Sequence, residues 1–164
     1  MPSTYEPIAT NTLGSNTATV TFSSIPATYT DLILIASVKN NSGGNRAMQI
    51  ILNADTATNY SGTYLTGDGT TASSGRSTSV AYLDTFATVP GAEFGTCIFN
   101  FQNYVNATTY KTVISRSGAA GVNARTAAAL WRSTSAITSI KFQLSGADLY
   151  STGSTFTLYG IKAA

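Results

Sequence analysis

Alternation with a period of two residues limits this chain more than any other feature. Ala18, Val20 and Phe22 interleave with Thr17, Thr19 and Thr21. Cys97, Phe99 and Phe101 interleave with Ile98, Asn100 and Gln102, and Ile140, Phe142 and Leu144 with Ser139, Lys141 and Gln143. In an extended strand, successive side chains point to opposite faces, so each such segment turns one face to a core and the other away from it. Ser24-Ile25-Pro26 closes the first segment, because proline cannot donate to a ladder. Gly, Asn, Asp, Ser and Thr clusters separate the segments, the spacing expected of a sandwich or barrel.

The same reading extends along the chain. Asp31–Lys39 (DLILIASVK) begins apolar on both faces and is expected to be a central strand. The turn Asn40–Asn45 then leads to the alternating Met48, Ile50 and Leu52, which suggests a hairpin. Tyr60–Leu65 and Tyr110–Arg116 read as strands, whereas Thr70–Ser77 (TTASSGRS) is too small and polar to bury much and reads as an exposed, mobile loop. Ala124, Ala127, Ala128 and Trp131 have helical spacing, but the strand reading is preferred because a short turn after Trp131 leads into a further strand. In the final TFTLYGIK, Phe156 and Leu158 point one way and Tyr159 and Ile161 the other, with Gly160 marking a bulge or a close backbone approach. The sum is about eight to ten strands, an all-β fold: an antiparallel two-sheet β-sandwich, jelly-roll-like, forming one domain over residues 1–164.

Composition supports an ordered β domain. Charged residues make up only 10% of the chain, against roughly 25% in ordinary domains. Hydrophobic residues still reach 43%, with 9 Tyr and 7 Phe, and disordered chains are poor in such residues. Thr-rich, Lys- and Glu-poor sequence favours strands over long solvated helices. The net charge is +2 and the basic residues form no run, so nucleic acid is not an expected partner. No apolar stretch approaches the roughly 20 residues of a membrane helix, and the first residues resemble no signal peptide. Synthesis in a cytosol is the expectation, and the unpaired Cys97 agrees with a reducing compartment.

Catalysis lacks its usual residues. The chain has no His, which removes Ser-His-Asp and Cys-His chemistry and His-ligated metals. Cys97, within Thr-Cys-Ile-Phe, reads as a small buried hydrophobe. Seven acids are present: Glu6, Asp31, Asp55, Asp68, Asp84, Glu93 and Asp148. A glycosidase would need two of them paired, and Asp55, Asp68 and Asp84 could ligate calcium from loops. Most sit at turn signals, where Asp usually bonds its own backbone. The chain is therefore expected to be no enzyme and to carry no cofactor or metal.

Binding is the remaining class. Tyr60, Tyr64, Tyr82, Tyr104, Tyr110, Tyr150 and Trp131 are many amphipathic rings for one domain, and such rings are enriched at interfaces. Trp131 beside Arg132 is the best single candidate for an interface anchor, and Tyr60, Tyr64 and Arg76 are further candidates from the polar region Asn53–Ser79.

Two blocks carry a family resemblance. Ala18–Ile35 (ATVTFSSIPATYTDLILI) and Gly153–Ala164 (GSTFTLYGIKAA), with Tyr110–Gly118 and Leu130–Ile140 between them, resemble a group of small virion proteins of tailed bacteriophages. The likeness spans nearly the whole chain and is weakest over 53–95. It implies a structural virion component without enzymatic activity, located in the particle and made in the host cytoplasm. Its first form is a capsid decoration (cement) protein, often a homotrimer, that binds and stabilises the assembled major-capsid lattice. Its second is a tail-fibre or tail-tip adhesin module that binds a host-surface glycan.

Overall fold

The computed structural model describes residues 4–162. They form twelve strands: β1 (Tyr5–Thr12), β2 (Thr19–Phe22), β3 (Asp31–Val38), β4 (Arg46–Leu52), β5 (Tyr60–Gly67), β6 (Ala72–Val80), β7 (Leu83–Val89), β8 (Gly95–Phe101), β9 (Lys111–Ala119), β10 (Asn123–Trp131), β11 (Ile140–Leu144) and β12 (Thr155–Ile161). Eight make a broad sheet in the order β1-β12-β3-β8-β9-β10-β5-β6, and four make a narrow one in the order β2-β11-β4-β7. Every pairing is antiparallel. The expected all-β, two-sheet sandwich is therefore the observed fold.

Three expectations change. The strands among the described residues number twelve, not eight to ten. Residues 70–77, read as a mobile loop, lie largely in β6, a nine-residue strand at the edge of the broad sheet. Its small polar side chains gave no alternation because the narrow sheet does not reach far enough to cover them. The β3–β4 pair is not a hairpin: β3 pairs with β12 and β8, whereas β4 pairs with β11 and β7. The Asn40–Asn45 turn carries the chain from one sheet to the other. The buried Asn40 amide holds this crossover, donating to Gly44 O and Val89 O at 2.8 and 2.7 Å and accepting from the Ser42 amide at 2.8 Å.

The alternating residues meet where the sequence pattern sends them. Leu32, Leu34, Ala36 and Val38 of β3, Cys97, Phe99 and Phe101 of β8, and Phe156 and Leu158 of β12 are buried against Val20, Phe22, Met48, Ile50, Ile140 and Phe142 of the narrow sheet. Phe142 is the hub, with ring centroids 6.3, 6.0 and 5.8 Å from Phe22, Phe99 and Phe156. Each fully buried ring or aliphatic side chain stabilises the fold by about 1.5–3 kcal/mol. Gly160 lies directly under the Tyr29 ring, where a Cβ would come within 2.3 Å of it, so the expected close approach is found. β10 is extended, with Ala127, Ala129 and Trp131 inward and Ala124 and Ala128 outward.

The two sheets differ in width, and this positions everything that follows. The last strand of the narrow sheet, β7, packs against β10, β5 and β9. Gly62 of β5 admits it, since a Cβ there would meet Asp84 O at 2.2 Å. β7 carries an irregularity opposite Ala47/Gln49, and within it Phe86 has φ 53°, a conformation that bulky residues rarely adopt. The bulge throws the Phe86 ring toward Tyr64 (centroids 4.3 Å apart). Beyond that contact, β6 overhangs the narrow sheet.

Candidate functional site

The narrow sheet covers the inner face of the broad one. Among the described residues nothing covers the outer face. The register fixes which side chains stand there. One row runs Tyr159–Ile33–Asn100–Ile114–Ala128–Thr63–Arg76 across β12, β3, β8, β9, β10, β5 and β6. The next runs Thr157–Ile35–Ile98–Arg116–Thr126–Leu65–Ser74. Leu65 is 61% exposed, Ile35 42% and Ile114 36%. Single exposed apolar residues are ordinary, but a contiguous set on one flat face marks a docking surface.

Over β9, β10, β5 and β6 this face is hollowed. A depression of about 570 Å³ is bordered by Leu65, Gly67, Ala72, Arg116, Ala124 and Thr126. Beside it lie hollows of about 260 Å³, between Leu65, Ile114 and Ala128, and about 230 Å³, between Thr63, Arg76, Thr112 and Leu130. Ala124, Ala128 and Gly67 leave the room, and Leu65 and Ile114 rise between them. The charged side chains of the β9–β6 half of this face are Arg76 and Arg116; no carboxylate stands among the strand residues that point outward there. The surface is thus neutral to basic, with threonine hydroxyls between apolar groups.

The candidate residues named from the sequence separate. Arg76 is exposed on this outer face. Trp131 is 2% exposed and Tyr60 fully buried, so neither is an interface anchor. They stack, with ring planes 13° apart, and close one end of the core. Asp55 ties them down: it accepts from Trp131 Nε1 at 2.7 Å and Asn59 Nδ2 at 2.9 Å, while its own carbonyl accepts from the Tyr60 hydroxyl at 2.9 Å. Burial alone would raise the Asp55 pKa; the bonds from Trp131, Asn59 and the Ala57 amide outweigh it and hold the pKa below the ordinary carboxylate value. Arg132 is half-buried, its amide bonded to Asn59 O. Tyr64 points to the inner side, between Phe86 and the Arg125 guanidinium, 4.8 Å above its ring. Sequence reading missed Leu65, Ile114, Ile98 and Ile35; the signal was present, as apolar residues on the polar side of their strands.

The carboxylates serve the chain itself. Asp68 accepts from the Thr70 and Thr71 amides at 2.9 and 2.7 Å, and these bonds lower its pKa to about 2. Glu93 accepts from the Gly121 amide, Asp31 from the Asn103 amide, Glu6 pairs with Lys162 and Asp148 with Arg46. Asp84 is buried, which raises its pKa, and it accepts from the Phe86 amide at the bulge. Among the described residues no three His, Cys, Asp or Glu side chains come together as metal ligands would. Cys97 is fully buried, and burial pushes its thiol up to about 12. The buried Lys111 ammonium donates to the carbonyls of Asn106, Thr109 and Thr134 at 2.6, 2.9 and 3.2 Å, fixing the entry to β9.

No family model and no curated protein matches the chain. Among solved structures it is similar to the mouse laminin alpha1 chain, domains LG4-5, at 13% identity and a TM-score of 0.34, covering 91% of this chain and 40% of that one. It is similar also to a legume lectin-like domain from Entamoeba histolytica, at 10% identity and a TM-score of 0.32, covering 100% and 86%. A heptameric SAP-like pentraxin from Limulus polyphemus follows at 8% identity and a TM-score of 0.23, covering 92% and 87%. The chain spans two-fifths of the laminin chain it matches. At these values the likenesses carry no argument about function.

Proposed function

We propose that this protein is a non-enzymatic docking domain of a tailed-phage particle, a capsid decoration protein that lays the outer face of its broad sheet on the assembled shell. One observation carries the docking role: the uncovered outer face, with Ile35, Ile98, Ile114 and Leu65 in neighbouring register rows and no carboxylate over β9, β10, β5 and β6. A neutral to basic, partly apolar face suits a partner surface that is apolar and acidic. The particle enters from the sequence resemblance. Binding the assembled lattice and not free subunits would stabilise the shell by mass action.

The test is a co-sedimentation of purified chain with particles stripped of it. The expected result is saturable binding at hundreds of copies per particle, lost on Leu65→Glu and Ile114→Glu, which add carboxylates to exposed positions. Binding that ignores both substitutions would overturn the use of this face. The adhesin reading rests on the exposed rings of Tyr5 and Tyr110, both 55% exposed. A few to a few dozen copies per particle, together with glycan binding by the isolated chain, would establish it instead.

A further inference from the structure

The two sheets present four outer edges, and three are closed to a further strand. β1 carries Pro7, a register irregularity at Pro7/Ala9 and the Glu6–Lys162 ion pair. β2 is four residues long. β7 is buried at every position except Phe86. Proline, bulges, charges, short length and cover are the devices by which proteins keep sheet edges from pairing. β6 is the least defended of the four: along its nine residues it has no proline, a single charge at Arg76, and a register irregularity only at its end, opposite Tyr60/Ser61. At about 3.3 Å per residue it offers roughly 30 Å of free ladder.

We propose that β6 pairs antiparallel with β6 of a second copy of this chain about a two-fold axis, continuing the broad sheet from one molecule into the next. A strand that pairs with itself antiparallel is self-complementary in its backbone bonds, and a two-fold contact needs that property. The side chains select the register. With Gly75 opposite Gly75 of the partner subunit, Ser73 faces Ser77, Ala72 faces Thr78, and Arg76 faces Ser74. Every facing pair is small or uncharged on at least one side, and the like charges avoid direct opposition. Centring on Arg76 would place the two guanidinium groups directly opposite each other. Gly75 at the axis is required by the fold as well, since its inner side is covered by the Tyr64 ring, which a Cβ would approach to 2.6 Å. The hollowed outer face borders this seam through Arg76 and Ala72, so pairing joins two such faces into one surface. The inference does not rest on the phage reading, because it concerns the isolated chain.

Analytical ultracentrifugation of the full chain tests it. The expected result is a concentration-dependent doubling of mass. Ser74→Lys sets a lysine against the partner's Arg76 twice per dimer and is expected to give monomer. Ser74→Glu retains the dimer, and Ser74→Lys combined with Arg76→Glu restores it. Ser74 and Arg76 are both exposed, so unchanged thermal melting separates lost pairing from lost folding. A wild-type chain that stays monomeric at millimolar concentration overturns the proposal. So does a dimer or trimer that ignores Ser74→Lys.

Discussion

Under the narrow sheet, β12, β3 and β8 send Phe156, Leu158, Leu32, Leu34, Phe99 and Phe101 inward, all essentially without exposure. Toward the overhang, past the buried Tyr60–Trp131 stack, β10, β5 and β6 send Ala127, Ala129, Gly62, Gly75 and Ser77 inward around the single ring of Tyr64. The ladder is continuous across both halves, but the interior is not. Small side chains let β7 approach β5 closely, and polar groups occupy what remains. Of the buried side-chain atoms without a protein partner, Thr85 Oγ1, Asn123 Oδ1, Arg125 Nε and Asn59 Oδ1 lie on this side of the molecule. One half of the sheet is thus built for stability. The other is held by a few specific contacts and carries the hollowed outer face and the open edge.

Four substitutions would break or sharpen this contrast. Phe142→Ala, at the aromatic hub, is expected to cost about 3–5 kcal/mol in chemical denaturation, against about 1 kcal/mol for Tyr64→Ala at the overhang. Equal costs would mean that the overhang is packed as firmly as the core. Asp55→Ala strands Trp131 Nε1 and is expected to cost about 2–3 kcal/mol at neutral pH. Because the folded pKa of Asp55 lies below its ordinary 3.8, its contribution is complete above that value and fades as pH falls through the folded one. The wild-type chain should therefore lose more stability there than the variant, as melting temperatures followed down the acid range would reveal. The smallest effect is at Asp84, where burial raises the pKa, so the bound proton stabilises the fold at acid pH and that contribution disappears as pH rises through the raised value. Asp84→Asn should flatten that slope and leave the chain slightly more stable at neutral pH. A variant less stable than wild type at neutral pH would mean that the ionised carboxylate is a favourable partner of Arg125.

The strands that the alternation named are those with one face in the core: β2, β3, β4, β8, β11 and β12. Those it missed, β1, β6 and β7, are edge strands that are almost wholly exposed or wholly buried, so burial imposes no simple period on them. Pro7 stands within β1, and an edge position tolerates it because the ladder needs no donor on that side. The candidate site was less legible. Tyr60 and Trp131 look like interface rings until Asp55, distant in sequence from Trp131, supplies their polar partners. Leu65 and Ile114 looked like ordinary strand residues until the register set them beside each other.

The sequence by itself determined that the chain is all-β and antiparallel, that Cys97 is buried, and that catalysis through histidine is impossible. These follow from residue types and from a period that any extended strand imposes. Only the tertiary structure decided which strands share a sheet, that one sheet is twice as wide as the other, and that an outer face and one edge are left uncovered. Alternation states that a face is buried but not by what. Strand order and sheet width depend on pairings between residues far apart in sequence, which no local pattern encodes.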